Sequence, residues 1–180
     1  MTAWVALLRA VNVGGKNRLP MAALRDALSG DGLAGVTTLL QSGNVLFHSD
    51  EPEQATVARI GDTIEAAFGL RVGVVVRSAA ELAAITGRNP FLETGRELDP
   101  ATLHVVFLSK RPTAAAVTTL DPDRSPPDTF AVDGREGYLS YPDGSGRTRL
   151  TLDYLERQLE TQGTARNWRT VQRLAALLEA

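Results

Sequence analysis

One order of elements, strand–helix–strand–strand–helix–strand with a further helix behind it, can be read twice along this chain. In the first half, Ala3 to Val11 reads as a strand, and a helix runs from Pro20, a good first helical residue, to Gly30, a good stop. Val36 to Leu40 and Val45 to His48 flank a hairpin turn, Gln41-Ser42-Gly43-Asn44. A helix from Pro52 places Val57, Ile60, Ile64 and Phe68 on one face, and Val72 to Val76 is a β-branched strand. Ser78 and Glu81 then form a capping box for a short helix.

The second half follows the same order. Leu103 to Leu108 is a strand and Pro112 to Leu120 a short helix. Thr129 to Val132 and Tyr138 to Tyr141 pair around Asp133-Gly134. A helix carries Leu152, Leu155 and Leu159, Thr164 to Arg166 closes the sheet, and a last helix carries Val171, Leu174, Ala175 and Leu178. The junctions match as well, with Arg77-Ser78 before one terminal helix and Arg166-Asn167 before the other. The expected fold is α+β, two ferredoxin-like βαββαβ lobes each with an additional C-terminal helix. Their expected extents are residues 1–88 and 101–180, with 89–100 as connector. Beyond this order the two halves are dissimilar in sequence. Trp4 to Leu8 is apolar at every position, so the first strand should be covered on both faces.

Composition removes several chemistries. With no cysteine, disulfides, thiolate zinc sites and a cysteine nucleophile are excluded. His48 and His104 are too few for most structural metal sites, and no metal or cofactor is expected. Both fall on strands without a partnered nucleophile and read as structural. A formal charge of −2 argues against general nucleic-acid binding. No run approaches the ~20 apolar residues of a membrane span, and the N-terminus lacks a signal layout. A cytoplasmic protein with no membrane partner is the expectation.

Within this weakly acidic chain the first 25 residues are basic. Arg9, Lys16, Arg18 and Arg25 precede the first acid, Asp26, and only one other lysine, Lys110, exists. Arg9 to Arg18 surrounds Asn12 and Gly14-Gly15-Lys16-Asn17 and leads into a helix. A strand, a glycine turn and a helix N-terminus can present N–H groups and a cation to an anion. The loop lacks the spacing and the Ser/Thr of a Walker motif. It reads more simply as a wide turn with glycines at positive φ and a solvated Lys16.

Gln41, Ser42 and Asn44 offer donors and acceptors for a polar ligand, or serve only as hairpin chemistry. In the expected fold this turn lies at the sheet end opposite the loop after the first strand. Asn167 reads as the N-cap of the last helix. Arg166 and Arg169 then either flank an anion at that helix terminus or form structural ion pairs. Gly144 to Arg149, with Arg147 inside it, is a glycine-rich basic connection able to close over a ligand.

Several of these segments together resemble a known family. Leu8 to Asn17, Gln41 to Val45, Asn89-Pro90-Phe91, Tyr141-Pro142, Gly146-Arg147 and Arg166-Asn167-Trp168 with Val171 are similar to domain of unknown function 1697, a family of uncharacterised bacterial proteins. Ala10 stands where that family usually has glycine, and Arg169 where it often has asparagine. The resemblance implies a two-lobed α+β fold and supplies no activity, substrate or catalytic residue.

Three functions are therefore carried forward. The first is binding of a small anionic, phosphate-bearing ligand at the basic loop or in a cleft between lobes. Its residues would be Arg9, Asn12, Gly14, Gly15, Lys16, Gln41, Ser42, Asn44, Arg147, Arg166 and Asn167, with Arg9, Lys16, Arg147 and Arg166 lining such a cleft. The second is an enzyme acting on a phosphorylated or acylated small molecule, for which no general base stands out. The third is a nucleic-acid-binding module, for which Val45 to His48 lacks the aromatic motif of RNA-binding ferredoxin-like sheets. Whether a protein partner exists is open.

Overall fold

The computed structural model describes residues 1–93, 95 and 97–179. Its first half contains β1 (Thr2–Leu8), α1 (Met21–Gly30), β2 (Ala34–Leu39), β3 (Asn44–Ser49), α2 (Glu53–Phe68), β4 (Val74–Ser78) and α3 (Ala79–Gly87). A 3-10 turn at Pro100–Thr102 precedes β5 (Leu103–Leu108), α4 (Ala114–Thr118), β6 (Thr129–Asp133), β7 (Glu136–Ser140), α5 (Leu152–Leu159), β8 (Gly163–Asn167) and α6 (Trp168–Glu179). The two four-stranded sheets have orders β2-β3-β1-β4 and β6-β7-β5-β8, with every pairing antiparallel. Both are the ferredoxin-like order, so the two-lobed α+β reading holds.

The chain forms two compact units, Met1–Leu82 with the segment from Leu174 onward, and Ala83–Arg173. These divisions fall inside α3 and α6, whereas the sequence suggested a connector at 89–100. In the first unit Ala6, Leu8, Val45, Phe47 and Val76 of the sheet pack with Leu24 and Leu28 of α1 and Ile60 and Ile64 of α2. In the second, Val106, Leu108 and Leu139 pack with Leu120, Leu155 and Leu159. The alternate residues Val5 and Leu7, and likewise Leu103, Val105 and Phe107, are fully buried too. Both faces of β1 and of β5 are therefore covered, which explains why each lacks the apolar–polar alternation of a half-exposed strand.

Side-chain caps set most helix starts. Ser78 and Glu81 bond reciprocally, with Ser78 N–H donating to Glu81 Oε2 at 2.8 Å and Glu81 N–H to Ser78 Oγ at 3.2 Å. Thr113 caps α4 and Thr151 caps α5 through their hydroxyls. Asn167 Oδ1 accepts from Arg169 N–H at 2.9 Å at the start of α6, as the sequence indicated. By contrast, α1 and α2 follow Pro20 and Pro52 with no side-chain cap, and only α2 has an acid, Glu53, in its first turn.

The two sheets are elaborated at different connections. In the first unit residues 9–20 separate β1 from α1, while residues 50–52 suffice between β3 and α2. In the second, residues 109–113 join β5 to α4, and the long connection is 141–151, between β7 and α5.

Candidate functional site

The long β1–α1 connection is a miniature structure of its own. Lys16 N–H donates to Val13 O and Asn12 N–H to Asn17 O, both at 3.0 Å, closing a small hairpin over Gly14-Gly15. Gly14 (φ 58°) and Gly15 (φ 73°) are both left-handed, the signature of a type I′ turn, and a Cβ on either would meet open space. Two asparagine side chains pin this hairpin down. Asn12 Nδ2 donates to Leu19 O at 2.9 Å and to Gln41 O at 2.7 Å, while its Oδ1 accepts from Leu19 N–H at 2.8 Å. Asn17 Nδ2 donates to Ala10 O at 3.0 Å.

The bond from Asn12 to Gln41 brings together two motifs that the sequence reading kept apart. Since β1 and β2 both run antiparallel to β3, they are parallel to each other. The β2–β3 turn therefore emerges at the same sheet end as the loop after β1, and Leu8 N–H donates to Gly43 O at 2.8 Å. Gly43 (φ 83°) is required there, because a Cβ would stand 2.5 Å from Val11 Cγ2 and 2.8 Å from Leu8 Cβ. Asn44 is fully buried and donates to Leu39 O at 2.8 Å and Ser42 Oγ at 3.0 Å. Its amide tightens the hairpin from inside, while Gln41 and Ser42 are exposed.

Backbone strain concentrates at this end. Five described non-glycine residues have positive φ, namely Ala10 (54°), Asn12 (55°), Asn17 (49°), Leu40 (60°) and Glu160 (51°). Four of them lie in the two adjoining loops. Such conformations cost about 1–3 kcal/mol apiece and persist where surrounding contacts over-determine them. Here the asparagine amides and the Gly43 contact supply that constraint.

Cations and helix polarity converge on the same loops. Lys16 and Arg18 are exposed and make no ion pair among the described residues, whereas Arg25 pairs with Asp26 at 3.0 Å and Arg71 with Glu65 at 2.7 Å. Arg9 is half-buried, and its side chain lies against the backbone at Gly73. From this loop α1 starts with neither a side-chain cap nor a first-turn acid. Among the described helices it alone lacks both, so the positive end of its dipole is uncompensated.

The remaining sequence candidates lie in the second unit. Arg166 is buried, its Nη1 donating to Thr164 Oγ1 at 2.7 Å and to Ala165 O at 2.8 Å. Burial pulls its guanidinium down to about 10, which leaves it charged at neutral pH. Arg77 occupies the matching place in the first sheet: it faces Val5 as Arg166 faces Val105, and also donates to the preceding carbonyl at 2.8 Å. Asn167, besides capping α6, donates to Ala101 O at 3.1 Å, and Arg169 pairs with Asp99 at 3.3 Å. Arg147 is exposed and lines a cavity in the long β7–α5 connection.

The histidines differ in surroundings. His48 is exposed on β3. His104 is half-buried edge-on to Tyr141, with ring centroids 5.2 Å apart, and its Nδ1 is buried without a hydrogen-bond partner. Desolvation holds its imidazole below the ordinary value.

Comparison with known proteins identifies the chain without assigning it an activity. The model of a family described as protein of unknown function (DUF1697) matches residues 1–138, and the chain belongs to that family. Among solved structures it is similar to the conserved bacterial protein SP0830 from Streptococcus pneumoniae. That match has a TM-score of 0.78 at 21% identity and covers 100% of this chain and 99% of the other, a likeness of fold. No curated protein matches.

Proposed function

We propose that the first unit binds a small phosphate-bearing anion at the sheet end formed by residues 9–20 and 40–43. The carrying observation is the start of α1, an uncapped helix N-terminus with no acid in its first turn, which follows Lys16 and Arg18, neither ion-paired among the described residues. Amide groups at such a terminus and nearby cations both favour a phosphate oxygen. The loop that carries Lys16 is held by Asn12 and Asn17, so little ordering would accompany binding. On this reading Lys16, Arg18 and the Gly14-Gly15 backbone face the anion. Asn12, Gly43 and Asn44 are positioning residues that set the loops. Binding rather than turnover is the function proposed, because cations and amides are what this end offers.

The test is calorimetric titration of the whole chain with pyrophosphate, alongside Lys16→Ala and Arg18→Ala. Each variant is expected to weaken binding about tenfold, a loss of about 1.4 kcal/mol. Their unliganded stability should stay within about 0.5 kcal/mol of the parent, as for most surface changes. Pyrophosphate binding unchanged in both variants would overturn the assignment, as would no binding to the parent chain.

A further inference from the structure

The connection between β7 and α5 borders a cavity of about 520 Å³, walled by Ser125–Asp128 on one side and by Asp143, Gly144 and Gly146–Thr148 on the other. The two walls are tied together before any ligand arrives. Thr148 Oγ1 donates to Asp128 Oδ2 at 2.5 Å, Arg149 N–H to Ser125 Oγ at 3.0 Å and Arg124 Nε to Arg149 O at 3.3 Å. Arg124 is fixed in turn by stacking over the Tyr154 ring at 4.4 Å. Tyr141, at the base of the connection, donates to Leu150 O at 2.9 Å.

Opposite charges line this preformed space with their bonding capacity unspent. Asp128 is 7% exposed, yet only Oδ2 is engaged. Its Oδ1 has no partner among the described residues, and it is not one of the sealed, unpartnered polar atoms, so it retains contact with solvent. Asp143 and Arg147, both exposed, form no ion pair with each other or with any described residue. A ligand that met these groups together would carry an ammonium for the carboxylates and an anionic group for the guanidinium.

We propose that this cavity is a binding site for a small zwitterion of the amino-acid or short-peptide class. Asp128 and Asp143 take the ammonium and Arg147 takes the carboxylate through its fork of donors. Pro126 and Pro127 form an apolar wall beside them. The site is independent of the anion reading for the first unit, and its residues belong wholly to the second.

The experiment is a titration of the whole chain with unblocked amino acids and glycylglycine, and with their N-acetyl and C-amide derivatives. At least one zwitterion should bind, with either blocking group weakening it about tenfold. Arg147→Gln and Asp143→Asn, both at exposed positions, should each weaken the same probe about five- to tenfold. Lys16→Ala should leave its binding unchanged. Equal binding of blocked and free probes, insensitivity to both substitutions, or no binding by any zwitterion would overturn the proposal. The folded state of each variant is checked by its thermal midpoint, which should match the parent.

Discussion

The two lobes share one strand order and differ in which end of the sheet they build upon. The first spends its longest connection between β1 and α1, where left-handed residues, asparagine bridges and free cations gather. The second reduces that connection to residues 109–113 and lengthens the one between β7 and α5. Its long connection is closed by hydroxyl and arginine bonds rather than by backbone strain. The same scaffold thus carries a strained, basic, protruding hairpin on one lobe and a relaxed cavity of mixed charge on the other. A fold of this kind fixes where a connection can grow and leaves open which one does.

The sharpest break in that comparison should come at the paired hairpin glycines. Gly43→Ala drives a Cβ to 2.5 Å from Val11 and 2.8 Å from Leu8 at positive φ. It is expected to destabilise by about 3 kcal/mol, overpacking and strain together. Gly134→Ala, at φ 61° in the matching turn of the second lobe, meets nothing closer than Glu136 Oε2 at 3.8 Å. It should cost only about 1 kcal/mol, the left-handed penalty alone. Denaturant midpoints of the two variants decide this, and equal losses would remove the asymmetry argued here.

A smaller effect of opposite sign is expected one loop away. Ala10, exposed at φ 54°, carries a Cβ in the left-handed region that favours glycine. Ala10→Gly should therefore stabilise the chain by about 0.5–1 kcal/mol, relief of strain exceeding the entropy gained by the unfolded chain. A loss of stability would mean that the loop does not hold Ala10 in that conformation.

The smallest effect sharpens the comparison by pH. Burial depresses the pKa of His104, so the unfolded chain binds its proton more readily than the folded one. Its contribution is fully present above the unfolded value, near 6.5, and is lost as pH falls below that toward the folded value. His104→Phe should flatten the stability–pH curve below about pH 6.5. An unchanged slope in His104→Phe would relieve His104 of that role.

Local signals in the sequence were reliable where the chemistry itself was local. The Ser78–Glu81 box, the Asn167 cap and the continuous apolar run of β1 needed only neighbouring residues and were visible there. The positions of the loops required topology. The Gln41–Asn44 turn lies at the end opposite to the one the sequence suggests, because the return of the chain through α1 makes β1 and β2 parallel. Asn12 stands among the candidate ligand residues, and its bond to a carbonyl as distant as that of Gln41 leaves no mark in residue spacing. Asp128 escaped notice for the same reason: its partner, Thr148, comes from a separate loop.

The discontinuity of the first unit bears on biosynthesis. Its segment from Leu174 onward is translated only after the whole of Ala83–Arg173. On the ribosome the residues of β1 to β4 are present long before that segment emerges, and the second unit is synthesised in between. Domains generally fold as units during synthesis, the N-terminal one first. Here a nascent chain stalled before Leu174 holds all four strands of its first sheet but lacks the buried Leu174 and Ala175. Completion of the N-terminal unit is thereby deferred to the end of translation.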